Sequence, residues 1–273
     1  MSTPIDTEFV GRYGPWAIVA GASEGTGAAF SELLAAHGLN LLLLARRADK
    51  LAELAAGLRR AHGVRVLTLS VDLEAPDAAA IMADATQALD VGLVVFNAGG
   101  DHVGGRFLAS PYAAWKTLTQ RNIDMLTEAS HHFAQRFVQR GRGGLILVGS
   151  QAALGGCGRL AVYTATKAYA LNFGESLWQE LRPLGVDVLN LLIGATDTPK
   201  LRRVFAQHQR SPDSVPLTAP ADVARAGLQA LGAGPTLVLG AAGDSADPLS
   251  SAALRRDRVE FQSAVLDNFY GQG

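Results

Sequence analysis

Trp16-Ala-Ile-Val-Ala-Gly21-Ala-Ser-Glu-Gly25-Thr-Gly27 is a short apolar run that ends in three glycines within seven residues, with a helical pattern following over residues 27–37. Five residues without a charge suit a strand buried on both faces of a parallel sheet. Glycines after such a strand let the chain turn sharply and bring backbone N–H groups up to a phosphate, whose charge then sits at a helix N-terminus. A glycine cluster alone marks many ordinary turns. The strand before it and the helix after it are what turn this one into a candidate phosphate cradle. Gly21, Ser23, Glu24, Gly25, Thr26 and Gly27 are therefore candidate cofactor contacts.

Outward from the cradle the same alternation repeats. Further apolar runs occupy residues 40–45, 64–70, 91–96, 144–148, 186–192 and 236–240, with helical patterns over 48–62, 76–89, 111–140, 161–184 and 220–231. Strict strand–helix alternation predicts right-handed crossovers and one α/β domain over residues 1–273: a doubly wound sheet of seven parallel strands with helices on both faces. Two stretches stand outside the alternation. Residues 195–217 form a connection too long for a simple loop, the kind that serves as a lid or binding loop. Residues 241–273 form a tail with a helical pattern over 249–269.

Composition narrows the function. The chain has 273 residues, 48% hydrophobic and 18% charged, a globular and not a disordered balance. Lys and Arg total 24 against 25 Asp and Glu, so there is no basic excess to hold nucleic acid. The single cysteine, Cys157, leaves no intrachain disulfide and no Cys-based zinc site. Residues 1–15 carry Asp6, Glu8 and Arg12 and no signal-like apolar run. The longest uncharged stretch, 226–243, holds five glycines and Pro235 and makes a poor membrane helix. The expectation is a cytoplasmic protein with no membrane partner.

Cofactor choice is read at the end of the second strand, about 20 residues beyond the glycines. An acid there would bind the ribose 2′-hydroxyl of NAD. This chain has Arg46 and Arg47 and no acid until Asp49, which predicts NADP(H) preferred over NAD(H); the alternative is a solvated pair at a helix start. Asp72, with Leu73 beside it, stands where it could accept from an adenine amino group, and Asn97-Ala98-Gly99 closes the fourth strand with a turn beside the same ligand.

Tyr163 and Lys167 are four residues apart on a helical pattern and share a face. An ammonium beside a phenol lowers its pKa from the ordinary ~10 and makes proton exchange with an alcohol or ketone oxygen practical. A surface tyrosine stacked on a lysine stem would give the same spacing. Ser150 ends the fifth strand, from which its hydroxyl can reach a carbonyl oxygen in the crevice. Asn122 falls within the long helical pattern 111–140, where it could equally be solvated.

Taken in order, the glycine loop, Asp72, Asn97-Ala-Gly99, Asn122, Ser150 and Tyr163-x-x-x-Lys167 make this chain resemble the short-chain dehydrogenase/reductase family from about residue 16 to 240, in its single-domain, Rossmann-type form. The resemblance implies that Tyr163 is the acid/base and that Lys167 lowers its pKa and holds the nicotinamide ribose. It further implies that Ser150 orients the substrate oxygen and that Asn122 positions a water linked to Lys167. It implies hydride transfer between nicotinamide and a small-molecule carbonyl or alcohol without a metal. One departure stands out. Where the family shows Pro-Gly and then a threonine, this chain reads Ile193-Gly194-Ala-Thr196-Asp-Thr198, so Gly194 is kept and either threonine could meet the carboxamide. The helices over 111–140 and 161–184 are the family's subunit contact, which implies a homodimer or homotetramer.

Residues 100–102, 151–154, 156–157 and 195–217 should wall the substrate pocket, with His102 and Cys157 as wall residues in preference to catalysts. Residues 200–210 mix apolar side chains with four cations, Lys200, Arg202, Arg203 and Arg210, and read either as a mobile lid or as a solvated amphipathic helix. Two other functions share these residues: an NADP(H)-binding sensor without turnover, and an epimerase or dehydratase that consumes no cofactor.

Overall fold

The computed structural model describes residues 7–101, 106–156, 160–207, 209, 211–239, 254, 256, 257 and 260. His102, Cys157, two residues of the 195–217 connection and nearly all of the tail lie outside the described residues.

Seven parallel strands form one sheet in the order β3-β2-β1-β4-β5-β6-β7. They are β1 (Trp16–Ala20), β2 (Asn40–Ala45), β3 (Val66–Ser70), β4 (Val91–Phe96), β5 (Gly143–Ser150), β6 (Val186–Ile193) and β7 (Thr236–Val238). The order reverses between β1 and β4, so the crevice at the carboxyl ends of those two strands is where a doubly wound sheet binds its ligand.

Side chains alternate across the sheet and feed two separate cores. Ile18, Ala20, Leu42, Leu44 and Val94 pack with Met82 of α4 (Ala78–Ala85), Phe133 and Phe137 of α6 (Leu126–Arg140) and Trp178 of α7 (Ala161–Leu181). Ala17, Val19, Leu41, Leu43 and Val95 face the other way. They meet Phe30 and Leu34 of α2 (Gly25–Ala36), Leu51 and Leu58 of α3 (Ala48–His62), and Val223 and Leu228 of α9 (Pro220–Ala230). Burying both faces is why the strands are apolar almost throughout rather than alternating.

Three elements differ from the sequence reading. A helix that residues 1–15 did not announce, α1 (Thr7–Tyr13), precedes β1 and buries Tyr13. β3 is an edge strand and only Val66 is buried, so it is not enclosed on both faces; Leu67 is 39% exposed. The pattern 111–140 is helical throughout but not α-helical throughout: α5 (Tyr112–Thr119) passes into a π-helical turn over Gln120–Met125 before α6 begins. The 195–217 connection contains α8 (Pro199–Gln207). Among the described residues no helix is long and apolar enough to cross a membrane.

Candidate active site

The glycine loop is held from both sides. Gly21 and Ala22 donate their N–H groups to Leu44 O at 2.8 and 3.0 Å, and Asn97 Nδ2 donates to Gly21 O at 2.9 Å. Gly21 has φ +86°, and a Cβ there would lie 2.9 Å from the backbone nitrogen of Ala98. A Cβ on Gly27 would run into the Gly21 carbonyl. The loop therefore needs glycine at both positions, one for the turn and one for close helix–strand packing, as a dinucleotide cradle does. Asn97 and Ala98 are thus part of its frame.

Around the cradle the charges are paired. Glu24 bridges two arginines, Arg47 at 2.9 Å and Arg203 of α8 at 2.5 Å; burial, the largest single effect, raises its carboxyl, but the two arginines together outweigh it and leave the pKa below the ordinary value. Arg47 also donates to Ser23 Oγ at 3.2 Å. Asp72 Oδ1 accepts the Glu74 N–H at 3.1 Å, and Leu73 is buried beside it. The two threonines separate clearly. Thr196 is buried and its hydroxyl donates to Gly194 O at 3.2 Å, whereas the methyl of Thr198 would meet a Gly25 Cβ at 2.8 Å. Thr198 is the one that faces the cradle.

At the carboxyl ends of β4 and β5 the remaining candidates come together. Ser150 ends β5, accepts the Ala152 N–H at 3.2 Å, and bears on the Tyr163 phenol, whose pKa its hydroxyl lowers. Tyr163 stands in the first turn of α7, and Lys167, one turn on, is buried with Nζ 5.9 Å from the phenol ring centre and donating to Val148 O at 3.1 Å. Asn122 is not solvated. It is buried in the π-helical turn, where its Nδ2 donates to Thr166 Oγ1 at 3.0 Å and to Gly99 O at 3.4 Å. π-turns are rare and concentrate at functional sites because they shift a side chain that a regular helix would place elsewhere. Arg121, Asn122, Val148 and Lys167 border a cavity of about 20 Å³, room for one water.

The electrostatics depart from the sequence expectation in one respect. Tyr163 lies above its ordinary value, not below it. Burial raises the phenol, the Ser150 hydroxyl lowers it, Asp101 raises it and Arg121 lowers it. Lys167 is itself pushed down to about 7, first by burial and then by the cations Arg121 and Lys200, so its own charge is only partly present at neutral pH. Arg121, adjacent to Asn122 and only 9% exposed, is a site member that the sequence reading missed. Lys200, one of the expected lid cations, donates from its Nζ to Asp101 O at 2.8 Å, across the crevice mouth.

Comparison with known proteins agrees with this geometry. The family model for short chain dehydrogenases matches residues 15–209. The chain belongs to that family. A 7beta-hydroxysteroid dehydrogenase of Clostridium sardiniense is 33% identical over 226 residues, covering 82% of this chain and 85% of its own. Among solved structures, a 7beta-hydroxysteroid dehydrogenase superposes with a TM-score of 0.79 at 27% identity, over 94% of each chain. A short-chain dehydrogenase from Sphingobium yanoikuyae in complex with NADPH gives 0.77 at 28% identity, over 93% of this chain and 95% of its own. This short-chain dehydrogenase is thus an oxidoreductase with the expected seven-stranded fold.

Proposed function

We propose that the protein is an NADP(H)-dependent oxidoreductase that interconverts a ketone and a secondary alcohol on a bulky, largely apolar small molecule. The observation that carries the reading is the convergence of Ser150, Tyr163, Lys167 and Asn122 at the carboxyl ends of the strands, with Lys167 Nζ 5.9 Å from the phenol ring centre and the Ser150 hydroxyl acting on the phenol. The steroid substrate in the names of its relatives supports an apolar ketone.

The cradle residues fit a dinucleotide: Gly21, Gly25 and Gly27 let the loop turn and pack against Ala98, Thr198 and its own backbone where a Cβ would clash, and Thr198 faces the loop. Arg46, Arg47 and Ser23 would hold the 2′-phosphate, with Asp72 and Leu73 at the adenine and Asn97, Ala98, Gly99, Gly194 and Thr198 along the remainder. Bound there, the nicotinamide supplies or accepts the hydride. The proton falls to this chain. A ketone oxygen placed between the Ser150 hydroxyl and the Tyr163 phenol accepts a hydrogen bond from each, and the phenol gives up its proton as the oxygen becomes an alkoxide. Burial keeps that phenol protonated at neutral pH, the form that reduction needs. Lys167, beside Asn122 and the 20 Å³ cavity, is placed to return a proton to the phenolate through one water.

The cations of α8 support a covering element more than a solvated helix, since Arg203 and Lys200 tie it to Glu24 and to the Asp101 carbonyl on opposite sides of the crevice. A groove of about 550 Å³ between α6 and α7, lined by His131, Val138, Phe173 and Leu177 among others, suits the same helices of a second copy and hence a homodimer. The experiment is parallel turnover with NADPH and NADH over a panel of ketones, steroidal ketones included. Faster turnover with NADPH is expected, and equal rates with both would remove the cofactor assignment.

A further inference from the structure

Arg121 spends all three faces of its guanidinium on the site. Its Nε donates to Asn122 Oδ1 at 3.0 Å, its Nη2 to Gly100 O at 2.7 Å, and its Nη1 to Glu74 Oε1 at 2.6 Å. Both partners of the ion pair are largely buried, with side-chain exposures of 10% and 15%. Burying such a pair is a weak source of stability, because desolvation offsets most of the attraction. The contacts themselves say what it achieves.

Asn122 has one acceptor and one donor end, and a free amide could turn over. With Oδ1 taken by Arg121, Nδ2 must face Thr166 Oγ1 and Gly99 O. Thr166 in turn donates to the Tyr163 carbonyl at 2.9 Å, so a chain of hydrogen bonds runs from the guanidinium to the turn that carries the phenol. The Gly100 contact fixes the neighbouring turn, where a Cβ on Gly99 would lie 2.8 Å from Lys167 Nζ and 3.4 Å from Asn122 Oδ1. Glu74 brings the other end of the strut from the loop after β3, where its own N–H is held by Asp72.

We propose that Arg121 is a positioning residue of the proton relay: anchored by Glu74, it sets the amide of Asn122 and the Gly99–Gly100 turn against Lys167. The inference rests on the catalytic roles given above to Tyr163, Lys167 and Asn122. Arg121 also puts a fixed positive charge beside Lys167. The other groups bearing on that ammonium are Lys200 from α8, which acts in the same sense, and Tyr163 from its own helix. The guanidinium meanwhile feels Glu74, Arg46, Tyr163 and Asp101.

The test measures kcat, KM for NADPH, the pH profile of ketone reduction and Tm in Arg121→Met, Arg121→Lys, the pair Arg121→Met with Glu74→Met, and Tyr163→Phe. Arg121→Met should lose kcat by about 100-fold, the scale of a small misplacement near a reacting group, with KM for NADPH little changed. Its limb near neutral pH should move to higher pH, because Lys167 loses a neighbouring cation. Arg121→Lys keeps the charge without the fork, so the limb should stay and kcat should recover only partly. In the double variant both members of the buried pair are apolar, so Tm should return toward the parent value while kcat stays low. If kcat returns together with Tm, or the limb does not move in Arg121→Met, Arg121 is only a structural brace. Should Arg121→Met fail to fold, the double variant and Arg121→Lys decide. Tyr163→Phe separates the layers: activity surviving there overturns the proposed function itself, whereas its loss beside unaffected Arg121 variants overturns only this inference.

Discussion

Both ends of the sheet set an arginine against main-chain carbonyls, and they use it differently. At the amino end Arg140 donates to Val91 O at 2.6 Å and Gly14 O at 2.7 Å and meets Asp90 at 3.2 Å, while Arg12 and Tyr13 both bond Asp187 at 2.6 Å. Those contacts tie α1 and α6 to the starts of β4 and β6 and to the turn before β1. At the carboxyl end Arg121 makes an equally complete set, but one of its partners is Asn122 and its neighbour is Lys167. Residue type and the downward push on the guanidinium by desolvation are shared. What separates a brace from a working part is the next residue along the hydrogen-bond chain.

The contrast can be broken at either end. The largest effect belongs to Tyr163→Phe, which removes the proton donor and should lower kcat by roughly 10²–10⁴-fold while circular dichroism and Tm stay at the parent values. Next comes cofactor choice. Arg46→Ala should reduce the NADPH/NADH affinity ratio by about 10- to 150-fold, the worth of a charge-assisted phosphate contact. Arg47→Ala should reduce it less, because Glu24 already holds part of that charge; fluorescence titration with both cofactors would check the order. At the amino end, Arg140→Met should cost about 2–5 kcal/mol of folding free energy by stranding buried carbonyls, with kcat unchanged per folded molecule. A loss of kcat there would erase the distinction between the two ends.

The smallest effect is a gain. Lys167 sits at about 7 in the folded protein against 10.5 unfolded, so its protonation opposes folding, fully below pH 7 and not at all above about 10.5. Lys167→Met should therefore be inactive yet melt roughly 2–4 °C higher at pH 7, with the difference closing as the pH rises toward 10. A variant melting lower than the parent across that range would contradict the burial cost.

How much of this the sequence carried depends on whether a residue's role is local. The cradle, the two-core sheet and the pairing of Tyr163 with Lys167 follow from spacing, since glycine turns, apolar runs and i,i+4 neighbours are properties of one segment. The edge position of β3 was invisible, because its residues 66–70 read like any other buried run and exposure depends on what lies beside it. The π-turn at Gln120–Met125 was hidden too: Arg121 and Asn122 look like solvated polar residues on a helix until the wider turn rotates them inward. Glu24 was legible as an acid in the loop, but its partners come from 23 and 179 residues away. Lys200 and Arg203 were read as lid cations; their contacts with the crevice needed the fold.

The most direct measurement counts alcohol formed against NADPH consumed when the wild-type protein and Tyr163→Phe are incubated with a ketone that the panel identifies. One alcohol per NADPH in the wild type, and neither change in Tyr163→Phe, is the predicted result. Product formed without NADPH consumption, or reduction persisting in Tyr163→Phe, would contradict a phenol-driven ketone reduction at this site.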